Sequence, residues 1–496
     1  MESATLTPRR GSGARRAARA PAVPRPRPTW PWLALLALAV GTAVGFVIYP
    51  TFPNYDSYYS LLWGRELLDG TKPSFDAYRA PTQHPLAVFF GAGLSLLGDP
   101  ADRVLVGATL ISFVALAAGM YRLARGSFTP LIGLVAAVLL CTRFDFPFLA
   151  ARGYIDIPYL AFVIWAAALE AERPRRGTPV FVLLALAGLM RPEAWLLSGL
   201  YFLWTFLPAS WPQRVRYGVL TWTGPAVWVA LDWWATGEPL FSLTHTSGLA
   251  EELGRQRTLR EVPSASVEFL RELAKPPVFY AGLLGLALGA YLVPRRIRMP
   301  LALLVAGLGT FVLVGLAGLS VIDRYLLVPS LMVMIFAAVA LAGWSMLQAG
   351  RVRTAWMVGA GALILFGVVF TATRVNLSAF DKELTFRGAA HASLERVLAE
   401  PDVRRGLACG PVSVPNHKLI PDVRWLTGGS VAEVLARSDP DSEGRLGRGV
   451  ALLVTDRTAL LRQALVEAGD DPMTSVPPAG FVRVATSEHY GAYVRC

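Results

Sequence analysis

Charged residues are scarce in this sequence. Of its 496 residues only 17% are Asp, Glu, Lys or Arg, whereas such residues make up about a quarter of an average soluble chain. Hydrophobic residues account for 54%, and the mean hydropathy is +0.45. The shortage of charge excludes a soluble globular protein and predicts a chain that crosses a membrane several times.

Cysteine and histidine are also sparse, with three and five residues respectively. Cys141 falls in an apolar segment, whereas Cys409 and Cys496 each stand at the end of a predicted strand in the C-terminal part. Those two are expected either to form a disulfide or to remain as buried thiols. His84 has no second His or Cys nearby, so ligand spacing supports no metal and no cofactor is expected, although a divalent cation remains open.

The positive charge is concentrated at the N-terminus. The formal net charge is +12, and seven arginines lie within residues 1–28 beside a single Glu. This Pro-, Ala- and Arg-rich tail lacks apolar periodicity, so it predicts a disordered basic segment rather than a nucleic-acid-binding domain. Because it precedes an apolar run at 31–50, the positive-inside rule places it in the cytoplasm. A signal peptide is the alternative, but the run is longer than a signal core and has no clear small-residue cleavage site.

Eleven apolar segments are candidate membrane spans under a window of about 20 residues. They lie near residues 31–50, 103–122, 128–142, 158–172, 178–190, 194–207, 217–235, 277–293, 299–319, 325–347 and 353–372. The basic loops between them all fall on the cytoplasmic side if 84–100 is a juxtamembrane or re-entrant helix rather than a span. The sequence therefore predicts a mainly α, polytopic transmembrane helical bundle of about 11 spans.

Three organisational units follow from this topology. Residues 1–30 form the cytoplasmic tail, 31–374 the transmembrane module, and 375–496 an extracytoplasmic domain. The outer face of the module would carry a first loop with juxtamembrane helices, a second loop and a third loop, at 51–102, 143–157 and 236–276.

The segment 375–496 changes character and predicts a small α/β domain. "GLACGPV", "GVALLVTD" and "GFVRVATSEHYGAYVRC" favour strands, whereas "VAEVLARS" and "RTALLRQALVEAG" favour helices. None of its histidines stands in a recognisable nucleophile or metal arrangement, so we expect a binding or orienting module without catalytic groups.

The first loop is unusually rich in aromatic and ionisable residues. Asp56 opens an amphipathic stretch, "YDSYYSLLWGRELL". One interpretation makes Asp56 a helix N-cap and the aromatic residues an interfacial belt. The other makes Asp56 a general base at the membrane boundary, and a second acid at the end of an apolar segment, Asp156 in "ARGYIDIP", favours it.

The order of features resembles the GT-C superfamily of membrane glycosyltransferases over residues 30–240. After the first span come an outer loop with an early Asp, "HPL", "DRVLVGATLISFVALAAGMYRLARG", "GYIDIPYLAF" and "ALAGLMRPEAWLL". The superfamily includes protein O-mannosyltransferases, aminoarabinose transferases and actinobacterial mannosyl- and arabinofuranosyltransferases. The resemblance implies transfer of one sugar from a polyprenyl-phosphate to an acceptor hydroxyl on the outer leaflet.

The resemblance also implies roles for individual residues. Asp56 matches the early-loop acid of the family and would be the base that takes the acceptor proton, with Asp156 a secondary acid that orients acceptor or sugar hydroxyls. Displacement opposite the leaving phosphate inverts the anomeric centre, and the phosphate needs cationic or hydrogen-bonding partners. The candidates for contacts with the donor phosphate or substrate are Tyr55, Tyr58, Lys72, Arg79, His84, Arg191, Glu193 and Arg324.

Simpler explanations exist for several of these candidates. His84 precedes a proline and could merely cap a helix or reach the interface. Arg191 and Glu193 could form an isolated ion pair at the break made by Pro192, and Arg324 could pair with the adjacent Asp323.

The function expected from the sequence is an inverting glycosyltransferase in a bacterial plasma membrane. Arabinofuranose or mannose on a decaprenyl carrier is the leading donor, and the acceptor would be a cell-envelope glycan, a glycolipid or a protein. A transporter or lipid flippase is an alternative, although the matching halves typical of transporters are not evident in the sequence. A non-catalytic membrane protein that binds envelope glycans is the other alternative.

Overall fold

A computed structural model describes residues 30–252, 261–319, 321–374, 378–463, 465 and 476–496. The basic tail expected to be disordered therefore lies outside the described residues. Within them, most residues are helical, and a small sheet occurs only near the C-terminus.

The helices follow the apolar pattern of the sequence closely, and each of the eleven predicted spans coincides with one. They are α1 (Trp30–Ile48), α2 (Tyr55–Leu68), α3 (Pro85–Ser95), α4 (Ala101–Ser127), α5 (Pro130–Cys141), α6 (Asp145–Ala151), α7 (Asp156–Glu172), α8 (Thr178–Met190), α9 (Glu193–Phe206), α10 (Trp211–Thr236), α11 (Phe241–Glu252), α12 (Val262–Ala274), α13 (Pro276–Leu292), α14 (Arg298–Leu316), α15 (Leu327–Ala342), α16 (Arg351–Arg374), α17 (Ala379–Ala399), α18 (Pro401–Leu407), α19 (Ile420–Thr427) and α20 (Arg457–Arg462).

Length and composition alone qualify fewer helices as complete spans. Among the described residues, five helical segments are long and apolar enough to cross a membrane, and the number rises to seven if two bent helix pairs each count as one. Those pairs are α5 with α6, bent by 63°, and α12 with α13, bent by 110°. Because several other helices are short, the number of eleven spans is not established.

Helix α15 forms the centre of the bundle. Fifteen of its 16 residues are buried, which explains why its sequence is apolar on every side. It packs most extensively on α13, where Gly285 lies against the backbone carbonyl of Phe336. A side chain at Gly285 would collide with that carbonyl, so this glycine permits the closest approach of the two helices.

Helices α2 and α3 lie together at one end of the bundle. Helix α3 has 11 residues, a length of about 16 Å, and is too short to cross a hydrocarbon core by itself. Gly64 of α2 and Gly91 of α3 face each other's backbones, so the two helices meet with almost no side-chain separation.

The C-terminal part contains a five-stranded sheet in the order β2-β1-β3-β5-β4. The strands are β1 (Val412–Val414), β2 (Val434–Ala436), β3 (Gly449–Val454), β4 (Val482–Thr486) and β5 (Tyr490–Arg495). Strands β1, β2 and β3 are parallel, whereas β5 runs antiparallel to β3 and β4. The predicted small α/β domain therefore has a mixed sheet.

Two local predictions for this domain were wrong. "VAEVLARS" at 431–438 contains strand β2 instead of a helix, because its three apolar residues are all buried in a parallel pairing with β1. "GLACGPV" is not a strand: its first residues finish α18, and β1 begins only at Val412. Of the helix predicted at 457–469, the described residues show α20, and the remainder falls largely outside them. Cys409 and Cys496 form a disulfide, which resolves the alternative left open by the sequence.

The C-terminal domain covers the aromatic side of α2. His391 on α17 stacks on Phe52 with ring centroids 4.0 Å apart, and Trp425 on α19 packs against Tyr58. His417 contacts the ring of Tyr55 at 5.7 Å. Helix α2 is therefore held between α3 on one side and the C-terminal domain on the other.

Candidate active site

Helix α2 begins with a cap that the sequence interpretation assigned to the wrong residue. Asn54 is the N-cap, and its side chain accepts a hydrogen bond of 2.8 Å from the backbone N–H of Ser57. Asp56 lies in the first turn and makes no capping bond among those of the described residues. Its carboxylate is thus available for a partner elsewhere.

The segment before α2 is tied to the segment before α7. Arg152 donates to the backbone carbonyl of Phe52 at 3.0 Å, and its own carbonyl accepts from the N–H of Asn54 at 2.8 Å. The hydroxyl of Ser57 donates to the carbonyl of Gly153, a residue with φ of +66°. These bonds bring the first turns of α2 and α7 together, and with them Asp56 and Asp156.

A cluster of five charged residues lies at this junction, and we refer to it as the Asp56 cluster. Arg324 bridges the two acids, with Nη1 3.0 Å from Oδ2 of Asp56 and Nη2 2.8 Å from Oδ2 of Asp156. Arg191 pairs with the other oxygen of Asp156 through Nη1. Its Nη2 lies 2.7 Å from Oε1 of Glu193. Four separate segments of the sequence therefore converge in one ionic network.

The convergence follows from the helix ends. Helices α2, α7 and α9 all begin at this point, and each carries an acid in its first turn: Asp56, Asp156 and Glu193. Carboxylates are stabilised there by the exposed N–H groups and the positive end of the helix dipole. Arg324 stands in the short 3-10 turn that leads into α15, and its ion pairs run to Asp56 and Asp156 rather than to the adjacent Asp323.

Burial separates the members of the cluster. The side chain of Asp156 is fully buried, those of Arg191 and Glu193 are 8% and 9% exposed, and those of Asp56 and Arg324 are 18% and 28% exposed. The cluster is therefore closed at Asp156 and accessible at Asp56 and Arg324. Oδ1 of Asp56 accepts no hydrogen bond from the described residues, whereas both oxygens of Asp156 are occupied.

Some polar atoms of the cluster have no partner. Nε of Arg324 and Oε2 of Glu193 are buried and make no hydrogen bond to any described residue. Buried polar groups are nearly always hydrogen-bonded, so these two atoms mark a place where a further ligand atom or water fits.

His84 belongs to the same region. Its ring lies edge-on to Trp228 at 5.8 Å, its side chain does not cap α3, and its Nδ1 is buried without a partner among the described residues. Burial is the main cause that lowers its pKa to about 4, and charges of Asp56, Arg191 and Arg324 act on it as well. At neutral pH the ring is uncharged, so it can donate one hydrogen bond but adds no positive charge.

Two of the predicted candidates, Lys72 and Arg79, lie outside the Asp56 cluster. Lys72 is exposed and follows the C-terminus of α2, which ends about 18 Å from Asp56 along the helix axis. Arg79 pairs with Glu252 at 2.6 Å. Neither therefore contacts the cluster in this structure.

The two predicted tyrosines also point elsewhere. The hydroxyl of Tyr55 donates to the backbone carbonyl of Arg79 at 2.8 Å. The hydroxyl of Tyr58 lies 3.2 Å from Asp102 and 3.3 Å from Nε2 of His391. Tyr58 therefore contributes to the contact with α4 and the C-terminal domain.

The sequence interpretation missed several residues that shape the site. The guanidinium of Arg324 stacks on Tyr154 at 5.4 Å, and that of Arg191 lies 5.7 Å from the ring of Tyr159 and 5.3 Å from that of Tyr325. Each of these tyrosines is within three residues of a singled-out charge in "GYIDIPY" or "DRY", so their proximity in sequence was an available signal. Such stacking fixes guanidinium planes.

Across the described residues there is no group of three or more His, Cys, Asp or Glu side chains placed to hold a metal ion. The three carboxylates of the Asp56 cluster form ion pairs with two guanidiniums.

Comparisons with known proteins identify the fold. No protein-family model matches the chain, and no curated protein sequence matches it significantly. The structure is similar to that of ArnT from Cupriavidus metallidurans bound to undecaprenyl phosphate, with a TM-score of 0.54 and 14% identity over 94% of this chain and 98% of that one. It is also similar to the oligosaccharyltransferase AglB from Archaeoglobus fulgidus in complex with an inhibitory peptide and a dolichol-phosphate. There the TM-score is 0.52 and the identity 11%, over 94% of this chain and 75% of that one.

Both similar structures are GT-C glycosyltransferases, and the agreement extends over almost the whole chain. The fold is therefore the GT-C fold, as the sequence pattern predicted. Together with the long apolar helices, it identifies the chain as a membrane protein.

Proposed function

We propose that this chain is an inverting glycosyltransferase that moves one sugar from a polyprenyl-phosphate donor to an acceptor hydroxyl. The observation that supports this most directly is the Asp56 cluster, in which an accessible carboxylate with one unoccupied oxygen lies beside a partly exposed arginine. The ligands in the two similar structures, undecaprenyl phosphate and a dolichol-phosphate, are carrier lipids of the kind proposed here.

Asp56 is the base in this proposal. A hydroxyl is a poor nucleophile at neutral pH, so a carboxylate must accept its proton as the bond to the anomeric carbon forms. The guanidinium of Arg324 lies 3.0 Å from Oδ2 of Asp56, and Oδ1, which accepts no hydrogen bond from the described residues, is the oxygen that would accept this proton.

Arg324 and His84 are the proposed partners of the donor phosphate. Each has a buried nitrogen without a hydrogen-bond partner among the described residues. A guanidinium binds phosphate oxygens with charge-assisted hydrogen bonds, and a neutral imidazole adds one donor without a second charge. As the bond to the sugar breaks, these donors stabilise the negative charge that develops on the phosphate.

Asp156 has a positioning role in this proposal. The sequence interpretation expected it to orient acceptor or sugar hydroxyls, but both of its oxygens are bound by Arg324 and Arg191 in a fully buried position. We infer that Asp156 instead fixes the positions of these two guanidiniums relative to each other. Arg191 and Glu193 continue the same network away from the accessible edge.

The donor sugar is proposed to be arabinofuranose or mannose, carried on a decaprenyl or similar lipid in a bacterial plasma membrane. The acceptor is proposed to be an envelope glycan, a glycolipid or a protein. The site would open to the extracytoplasmic side, with residues 1–30 in the cytoplasm and 375–496 outside.

The decisive experiment is a donor panel. Purified protein in nanodiscs is incubated with labelled polyprenyl-phosphate mannose, arabinofuranose and aminoarabinose, and transfer to an envelope glycan extract is measured. We expect transfer from one donor that is lost in Asp56→Asn and kept in the matched control Asp76→Asn, an exposed acid in the same loop. A transporter or a glycan-binding protein would transfer no sugar from any of them.

Topology has its own test. Single cysteines introduced at position 440 and in the basic loop at 212–216 are labelled in intact cells with a membrane-impermeant maleimide. We expect labelling at 440 only. Protection of position 440 would place the site on the wrong side of the membrane for this function.

A further inference from the structure

The C-terminal domain has a polar cavity whose lining includes no residue of the Asp56 cluster. It measures about 570 Å³, a size within the range of small-ligand sites. Its lining includes Gly410, Arg445, Gly447, Arg448 and Arg495. We refer to it as the distal pocket.

The orientation of the sheet explains why this pocket lies away from the bundle. The carboxyl ends of β1 and β2 lead to the residues that contact the first loop: His417 lies 6.4 Å from the ring of Tyr78, and the carbonyl of Ser438 accepts from the hydroxyl of Tyr78 at 2.9 Å. Gly410 and Arg448 instead precede the amino ends of β1 and β3. The pocket is therefore at the end of the parallel strands opposite the residues that contact the first loop.

Three arginine side chains give the pocket its charge. Arg445 donates to the backbone carbonyl of Ala432 at 2.7 Å, and Arg495 donates to that of Ala479 at 3.1 Å. These bonds to neutral carbonyls fix two guanidiniums without neutralising them. In the part of the chain that the structure describes, no carboxylate forms an ion pair with Arg445, Arg448 or Arg495.

A disulfide holds the walls of the pocket in place, and part of the wall is glycine backbone. The disulfide between Cys409 and Cys496 joins the residues that precede β1 to the end of β5, with Cα atoms 5.3 Å apart. Gly444 and Gly447 also line the pocket, and a Cβ at either would meet only open space, so a ligand can approach their backbone closely. The pocket thus has a rigid frame and three guanidiniums, two of them held by backbone carbonyls. Such an arrangement favours a multivalent anion, because each guanidinium can bind a carboxylate or phosphate through two parallel hydrogen bonds.

We infer that the distal pocket binds the carboxylate or phosphodiester groups of an anionic glycan polymer. Its place at the end of the sheet opposite the contacts with the first loop argues against a headgroup of the bilayer in which the protein sits. If the proposed function is correct, such a polymer would be the acceptor or be attached to it. Binding of the polymer at the distal pocket does not depend on the proposed function.

The test uses the full chain in phosphatidylcholine nanodiscs without any donor. Binding is measured by fluorescence polarisation with labelled polygalacturonate, poly(glycerol phosphate) and neutral dextran. We expect the unmodified protein to bind at least one anionic polymer and not dextran, with an affinity that falls as salt rises. Which anionic polymer binds distinguishes carboxylates from phosphodiesters.

Two charge-matched triple variants locate the binding. Arg445→Ser, Arg448→Ser and Arg495→Ser together should weaken binding by at least about 30-fold, since each removes charge-assisted hydrogen bonds. The control triple replaces the exposed Arg396, Arg404 and Arg483 by Ser and should change the affinity by less than about threefold. Arg448→Ser alone removes no hydrogen bond that the described residues make, so it serves if the triple variant does not fold; it should weaken binding about tenfold.

Equal losses in the two triple variants would overturn the inference, because general surface charge would then explain the binding. Equal binding of dextran, or no binding of either anionic polymer, would overturn it as well. Asp56→Asn should leave polymer binding unchanged, so failure of the proposed transfer reaction and failure of the distal pocket give different results.

Discussion

Helix α2 carries two arginine–carboxylate clusters about 15 Å apart, and they differ in how completely they are satisfied. At its C-terminal half, Glu66 accepts from Arg424 at 2.6 Å and from the N–H and hydroxyl of Ser74 at 2.8 and 2.9 Å. Arg424 is almost fully buried and has further contacts to Gly429 and Ser74. The carboxylates Glu66 and Asp56 are similarly exposed, at 15% and 18%, so the difference lies in the arginines. Arg324 at the N-terminal end is 28% exposed, and its Nε has no partner among the described residues.

The difference separates a structural ion pair from a functional one. When all the hydrogen-bonding groups of a buried ion pair are used, none remains to bind a ligand. Loss of one partner then leaves the other charge without compensation. A cluster with unused polar atoms at an accessible edge carries a cost in the free protein that a ligand can relieve. The Glu66–Arg424 pair should therefore control stability, and the Asp56 cluster should control turnover.

The largest expected effect comes from Asp56→Asn. The amide keeps the size of the side chain but cannot accept the proton, and Asn54 still caps the helix, so turnover should fall by about two to four orders of magnitude. Donor binding and the melting temperature should stay close to those of the unmodified protein. Single-turnover transfer and thermal melts in detergent measure both, with Asp76→Asn as the control.

If Asp56→Asn retains near-normal transfer, the functional assignment of the Asp56 cluster is wrong. The base then lies elsewhere, and Asp156 is the next carboxylate to test.

The second effect is on stability and comes from Arg424→Met. Removal of the guanidinium leaves Glu66, which is 15% exposed and keeps its hydrogen bonds from Ser74, without its charge partner, so the free energy of unfolding should fall by about 1.5–3 kcal/mol. The double variant Glu66→Gln with Arg424→Met should recover part of that loss, because no uncompensated charge remains. Thermal melts of the purified variants measure the loss, and transfer per folded molecule should change much less than in Asp56→Asn.

A melting temperature of Arg424→Met equal to that of the unmodified protein would contradict the structural assignment of this pair. So would a loss of transfer as large as that of Asp56→Asn in protein that is still fully folded.

Asp156→Asn should have a smaller effect on transfer, of about ten- to a hundredfold, because it weakens charge-assisted hydrogen bonds without removing the base. If Asp156 positions Arg191 and Arg324, and Arg324 binds the donor phosphate and stabilises the charge that develops on it, the KM for the donor should rise and kcat should fall, whereas Asp56→Asn should act on kcat alone. Steady-state kinetics with donor concentration varied distinguish the two patterns. A fall in kcat alone would indicate that Asp156 acts on the reacting groups directly.

The smallest effect is the pH dependence due to His84. Its pKa is lowered to about 4 by burial, below the ordinary value of 6.5, so the folded protein binds fewer protons than the unfolded chain between these values. His84 should therefore lower stability progressively as the pH falls from about 6.5 to 4 and have little effect at pH 7 or above. Melting temperatures of the unmodified protein and of His84→Gln over this range test the prediction.

The His84→Gln variant should show a flatter profile across that window. Parallel profiles for the two proteins would mean that other groups cause the acid sensitivity.

The sequence predicted the helices well because long apolar runs leave few alternatives in a membrane. It failed at β2, where three apolar residues inside a helix-like pattern pair with β1 instead. Short buried strands and buried helical turns share the same composition, and only the tertiary partner decides between them.

Within the Asp56 cluster, the sequence singled out the five charged residues and the pairing of Arg191 with Glu193, but not the ion pairs that join distant segments. Arg324 lies 268 residues from Asp56 and 168 from Asp156, and no local pattern joins such positions. Conversely, Tyr58 was grouped with Asp56 because it is close in sequence. Two residues apart on a helix differ by about 200° around the axis, so Tyr58 faces the C-terminal domain when Asp56 faces Arg324.

The Glu66–Arg424 pair also sets an order of events during biosynthesis. Arg424 emerges from the ribosome 358 residues after Glu66, which at typical rates of synthesis corresponds to roughly 20–70 s. During that interval the C-terminal domain cannot pack on the aromatic side of α2. His391, a partner of Tyr58, and Arg424, the partner of Glu66, have not yet been synthesised. The helix that carries Asp56 can adopt its final surroundings only at the end of this delay, so a nascent chain that stalls before α19 would reach the membrane with its bundle in place and its site unfinished.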